Sequence, residues 1–224
     1  MSQGARRGRG SRAGLSRERV LAAAVEYADR EGLASLSMRR LGEELGVEAM
    51  SLYTYVSGKD ALLDGMVDAV FAEIELPGPR TRWRNAVRRR TVCAREVLRR
   101  HPWATPLMNS RSTPGVHTLH HLDAVLGYFR RGGFTVAQTA HAISAVDAYL
   151  YGFAMTDISL PFDTPDETAE LAAQILAGIP AEDFPYLREL TTEHVLQPGY
   201  DYGAEFELGL DLVLDGLARL LEAG

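Results

Sequence analysis

The chain has 224 residues, 24% of them charged, with a formal net charge of −6, a length that admits one large domain or a small one followed by a larger one. No run approaches the roughly 18 consecutive apolar residues of a membrane span, and the basic N-terminus lacks the apolar core of about 7–15 residues that marks a secretory signal, so a cytoplasmic protein is expected. The single cysteine, Cys93, excludes an internal disulfide framework and a cysteine-built zinc site and is read as a buried thiol in a helix.

Residues 1–17 carry Arg6, Arg7, Arg9, Arg12 and Arg17 and no acid, which leaves 19 basic against 30 acidic residues in the rest, a balance of −11. Rich in glycine and serine, residues 1–15 are expected to form a flexible basic arm. It is either a solvated tail or a segment that follows phosphates. Next, SRERVLAAAVEYADREG offers Ser16 as a cap, places Val20, Leu21, Ala24, Val25 and Ala28 on one helical face, and stops at Gly32. LSMRRLGEELGV predicts a second, short helix capped by Ser37, with Met38, Leu41 and Leu45 as its buried stripe and Gly46 as its stop. In EAMSLYTYV, which follows at once, Met50, Leu52, Tyr53 and Val56 cannot share one face of so short a helix. Some of these apolar groups must point away from the core.

Helix, glycine turn and short helix form the helix-turn-helix pattern, in which the first helix braces a second whose side chains enter the major groove. SGKDALLDGMVDAVFAEIEL then reads as a long fourth helix capped by Ser57, apolar at Leu62, Leu63, Met66, Val67, Val70, Phe71 and Ile74. Pro77 and Pro79 around Gly78 mark the domain boundary. Beyond them come an arginine-rich helix from Trp83 to Arg100, the break HPWATP, a helix stopped at Gly132 and Gly133, and the most apolar helix, near 137–156. Residues 159–203 hold five prolines and are expected to be irregular apart from a short helix near 166–176. The last segment, GAEFELGLDLVLDGLARLL, carries a helical stripe of Phe206, Leu210, Val213, Leu214, Leu217 and Leu220–Leu221. No strand pattern or repeat is present.

The stretch GVEAMSLYTYVSGKDALLD resembles the turn, recognition helix and fourth-helix start of the tetracycline-repressor (TetR) family, and RRGGFTVAQTAHAISAV with FELGLDLVLDGL resembles the C-terminal domain of the tetracycline repressor's own subgroup. The resemblance implies an all-α chain: a three-helix DNA-binding domain at 16–76, joined by a long fourth helix to an effector-binding and dimerisation domain at 80–224. It also implies that Arg39, Ala49, Met50, Ser51 and Tyr53 approach the operator and that Lys59 meets a phosphate. Chemistry agrees: Ser51 can bond a base edge, Met50 can touch a thymine methyl, and Tyr53 can bond a phosphate oxygen. For Tyr53 and Tyr55 two readings stand, DNA contact or filling the small domain's core. Ala49 stands where the namesake has glutamine, which leaves Arg39 as the candidate for bidentate guanine recognition.

By the same resemblance, a small-molecule pocket would draw on Met66, Val70, Trp103, Leu107, Met108, His121, Val125, Tyr151 and Met155, a lining that suits a flat, largely apolar effector. The alternative is that these side chains pack on one another. Asp147, in an apolar helix, requires a partner: an arginine, a histidine, the ligand, or a second subunit. His117, His120 and His121 do not converge as metal ligands, and no cofactor is expected. The apolar helices near 137–156 and 204–222 are expected to pair with their copies in a homodimer, giving two recognition helices one DNA turn apart and a palindromic operator. An all-helical enzyme is the competing class, but no nucleophile elbow or phosphate-cradling loop supports it. A ligand-independent DNA-binding protein is the other. Of the positions that bind magnesium and drug in the namesake, the histidine falls at Met108 or Asn109, a glutamine at Val125 and a glutamate near Thr156. Magnesium with tetracycline is therefore expected to leave an operator complex intact, and release at micromolar drug would overturn that reading.

Overall fold

The computed structural model describes residues 14–108, 110–162, 164–180 and 182–222, and all regular structure among them is helical. Arg6, Arg7, Arg9 and Arg12 of the expected arm lie outside the described residues. Helix α1 (Arg17–Glu31) begins where the sequence predicts: the Ser16 hydroxyl accepts from the Arg19 amide at 3.3 Å, satisfying one of the donors a helix start leaves open. Its stripe of Val20, Leu21, Ala24, Val25 and Ala28 is buried. Helix α2 (Met38–Leu45) repeats the device with Ser37 on the Arg40 amide and ends at Gly46, whose φ of 66° is the left-handed region that favours glycine.

Helix α3 (Ala49–Leu52) is a single turn. What sets its approach to α2 is Gly42: a Cβ there would lie 2.9 Å from the Val47 carbonyl oxygen and 3.1 Å from the Ala49 amide nitrogen, both backbone atoms. Leu41, Leu52 and Val56 fill the space beneath and are buried. Helix α4 (Lys59–Glu73) departs from expectation at its start. Gly58 in extended backbone, not Ser57, is its cap, and no side chain closes the first turn.

Two compact units divide the chain. The first comprises residues up to Ile74 together with Arg100–His121, and the second comprises Glu75–Arg99 and the chain from Leu122 onward. Sequence placed one cut at 77–79, because prolines and glycine are legible there. The grouping of Arg100–His121 with the N-terminal helices follows instead from long-range polar bonds: Arg100 and His101 to Glu73, Arg111 to Asp60 and Asp64, and Thr118 to Asp68.

Helices α5 (Trp83–Arg100) and α6 (Val116–Arg131) have residues in both units. The second unit further holds α7 (Val136–Asp157), α8 (Pro165–Gly178), α9 (Pro185–Leu190) and α10 (Glu205–Glu222), with α10 packed on α7. Rings of Trp83, Phe129 and Phe134 make one cluster and those of Tyr149, Phe153 and Phe206 another. Residues 159–203 are more helical than expected. Pro165 and Pro185 stand at the first position of α8 and α9, where a missing N–H costs nothing and the fixed φ suits the helix, so these prolines start helices. Cys93 is half-buried, not buried, and its sulfur accepts from the Glu75 amide at 3.2 Å. His117 and His120 are exposed while His121 is buried, its ring 5.1 Å from Phe71.

Because the atoms nearest a Cβ at Gly42 are backbone, Gly42→Ala is expected to cost about 1–3 kcal/mol and to shift α3. Urea denaturation together with DNA binding of the variant measures both effects.

Candidate nucleic-acid interface and effector site

The helix-turn-helix sorts its side chains by burial. Leu52 and Val56 turn inward, while Met50 is 74% and Tyr53 45% exposed, with Ser51 exposed between them. Ala49 and Tyr55 are half-buried. The two arginines of α2 are both exposed and differ in their partners. Arg40 reaches back to the Tyr27 hydroxyl and the Ser35 carbonyl, whereas the Arg39 side chain stays 79% exposed and, among the described residues, pairs at 3.8 Å with Glu43 one turn along, a contact worth at most about 1 kcal/mol. Arg39 is thus free to exchange that pair for a base or phosphate. Lys59 is the first residue of α4 and is exposed, and no side chain caps that turn; a helix start of this kind favours an anion.

Behind this surface, the first unit carries a polar node that no sequence motif announces. Asp29 of α1 receives the Trp103 indole N–H at 2.6 Å and lies 2.8 Å from His101 Nδ1, partners 74 and 72 residues away in the chain. His101 Nε2 lies 3.1 Å from Glu73 of α4, and Arg100 holds the other Glu73 oxygen at 2.5 Å. Burial raises the Glu73 pKa, yet these bonds outweigh it and hold the carboxyl below the ordinary glutamate range. The only local signal is His101 followed by Pro102, where α5 must stop.

Comparison with known proteins identifies the family. Residues 20–66 match the model for bacterial regulatory proteins of the tetR family, and residues 76–221 match the tetracyclin repressor-like C-terminal domain. The chain belongs to the tetR family. It is a DNA-binding transcriptional regulator. Among relatives of this TetR-family chain are the transcriptional repressor DrrR1 of Streptomyces coeruleorubidus, 36% identical over 97% of this chain and 83% of its own length, and an HTH-type transcriptional regulator of Saccharopolyspora erythraea, 33% identical over 91% and 85%. Apo ActR of Streptomyces coelicolor superposes with a TM-score of 0.78 at 28% identity, covering 95% of this chain and 99% of that one; ActR has also been solved in complex with actinorhodin.

The effector-site candidates of this TetR-family regulator fall in both units. Met66, Val70, Trp103, Leu107, Met108 and His121 belong to the first, where all but the half-buried Leu107 are buried and α4 packs on the 102–107 turn. Val125, Asp147, Tyr151 and Met155 belong to the second; Val125 is buried and Met155 exposed. The partner required by Asp147 is Arg90, 3.1 Å away and fully enclosed. Burial pushes the Tyr151 phenol, also hydrogen-bonded to Arg90, up to about 12. The three form one polar group in an otherwise apolar stretch, able to accept or donate to a single polar substituent.

Removing the Asp29 carboxylate strips an acceptor from two buried donors, so Asp29→Ala should destabilise by about 2–3 kcal/mol, whereas Arg39→Ala, at an exposed and weakly paired site, should stay within about 0.5 kcal/mol of wild type. Equilibrium urea unfolding of the two variants checks the contrast.

Proposed function

We propose that this protein is a homodimeric repressor that holds a palindromic operator through Arg39, Ala49, Met50, Ser51, Tyr53, Tyr55 and Lys59 and releases it when a small, largely apolar molecule binds. The observation that carries the reading is the sorting on the helix-turn-helix: Leu41, Leu52 and Val56 are buried, while Met50, Ser51, Tyr53, Arg39 and Lys59 are left in water. Two large apolar or aromatic side chains held out of the core on a recognition helix have no structural use, and they suit a groove that offers thymine methyls and phosphates. In this reading residues 16–76 bind DNA and 80–224 bind the effector and dimerise, and the protein works in the cytoplasm without catalysing a reaction.

Dimerisation is supported by the outer faces of α7 and α10. Leu208 and Leu212 are 61% and 65% exposed on α10, and the exposed face of α7 is made of small residues such as Ala140, Ser144, Ala148 and Gly152, which let a second helix pair approach closely. Water contact with such faces is relieved by a second copy. The apolar character of the effector is supported by Met66, Val70, Trp103 and Met108, and by ActR, a relative in fold and sequence whose solved complex holds actinorhodin.

The test is binding of the purified protein to its own upstream DNA across a salt series, with Tyr53→Ala and Lys59→Ala alongside. Both substitutions should weaken binding, and Lys59→Ala should lower the slope of log affinity against log salt by about one. Undiminished binding by both variants would show that these residues serve the fold and not the operator.

A further inference from the structure

The second unit contains a groove of about 560 Å³ between the start of α5, the end of α6 and α10, and four of its lining residues are Arg80, Arg82, Arg84 and Arg131. Its walls are fixed by specific contacts. The buried Tyr128 hydroxyl donates to the Pro77 carbonyl at 2.6 Å, and the Thr81 amide closes a turn on the Gly78 carbonyl at 3.0 Å, which together shape the segment that presents Arg80 and Arg82. Trp83 lies so close to α6 that a Cβ on Gly132 would sit 2.8 Å from it. Arg131 is folded back along α6, its guanidinium 5.6 Å from the Tyr128 ring centre and near enough that a Cβ on Gly127 would meet Nη1 at 2.6 Å. Two glycines thus make room for one indole and one guanidinium.

Charge separates this groove from the rest of α5. Farther along the helix Arg88, Arg89, Arg90 and Arg95 each end on a carboxylate. Within the groove only Arg84 does, on Asp211 and Asp215; Arg80, Arg82 and Arg131 have no carboxylate partner among the described residues. The first turn of α5 contains no acid either, and a helix start carries partial positive charge. Three unneutralised guanidinium groups and a helix start share one concavity in a chain whose net charge is −6, and their mutual repulsion is relieved only by an anion or by water. Guanidinium forks match phosphate oxygens two at a time, and an indole and a phenol ring lie beside them. A concavity of this size admits a small molecule, whereas a duplex needs an open surface.

We propose that this groove binds a small, multiply charged, phosphate-bearing anion, at residues distinct from both the DNA-reading set and the effector candidates. The site requires no operator, so it is tested without DNA. Inorganic pyrophosphate is titrated calorimetrically into the full chain at constant ionic strength, with Arg82→Ala/Arg131→Ala, with Arg131→Met, which keeps the stem over Tyr128 while removing the charge, and with Arg188→Ala, an exposed arginine elsewhere. The expected result is saturable binding of one pyrophosphate per chain, weakened about tenfold or more by the double variant and by Arg131→Met and unchanged by Arg188→Ala. Absence of saturable heat, binding retained by Arg131→Met, or equal weakening by Arg188→Ala would each overturn the site. Thermal melting of every variant near the wild-type temperature establishes that lost binding is not lost folding.

Discussion

What the first unit offers to DNA depends on α4 being held along two of its sides. One side is apolar: Leu62, Met66 and Val70 are fully buried and the helix packs on α1 and on the 102–107 turn. The other is a row of carboxylates, Asp60, Asp64 and Asp68 at four-residue spacing and then Glu73, which meet Arg111, the amide and hydroxyl of Thr118, and the Arg100–His101 pair. Magnitudes decide what each side does. A buried Leu, Met or Val is worth about 1.5–3 kcal/mol, while an exposed ion pair contributes about 0–1 kcal/mol, so burial supplies the stability and the carboxylates supply direction. Asp68 illustrates the difference: it accepts from a helix start that would otherwise have open donors, and a Cβ on Gly115 would collide with it.

Much of this was legible in the sequence because it is local. Ser16, Ser37 and Gly46 cap α1 and α2 as their spacing implies, and the stripe of α1 is buried where a 3.6-residue repeat places it, as are Phe206, Leu210, Leu214 and Leu217 of α10, whereas Val213, Leu220 and Leu221 are half-buried. Ser57 misled because a serine before a helix is the commoner cap, yet the backbone turned one residue later at Gly58. The stretch 159–203 misled for a related reason: proline both breaks a helix and begins one, and only the following Asp, Glu and Leu pattern tells the two apart. The polar node could not have been read at all. Asp29, Glu73, His101 and Trp103 are ordinary residues in ordinary segments, and their meaning lies in pairings 28 to 74 residues apart.

The same limit applied to the candidate site. That Tyr53 is exposed and Leu52 buried follows from a helix one turn long, and the mismatch of four apolar residues on it announced that some would point outward. Both Arg39 and Arg40 are exposed, and that Arg40 is the one tied back could not be foreseen, since both follow the Ser37 cap and its partner is the Tyr27 hydroxyl on another helix. In the second unit the requirement that Asp147 find a partner was plain from burial chemistry, but its identity was not: Arg90 is one of several arginines on α5 and is the one whose side chain is enclosed.

Gly42 carries a consequence for how such a protein changes over time. The angle between α2 and α3 is set by backbone against backbone at that glycine, with Leu41 and Leu52 beneath it. None of the outward-facing side chains takes part in fixing the pair. Met50, Ser51, Tyr53 and Arg39 are therefore interchangeable lettering on a rigid type block. If these residues read the operator as proposed, new operator preferences can be written there by substitution at a handful of surface positions, with little penalty to the fold, while the block itself tolerates almost no revision at its smallest residue.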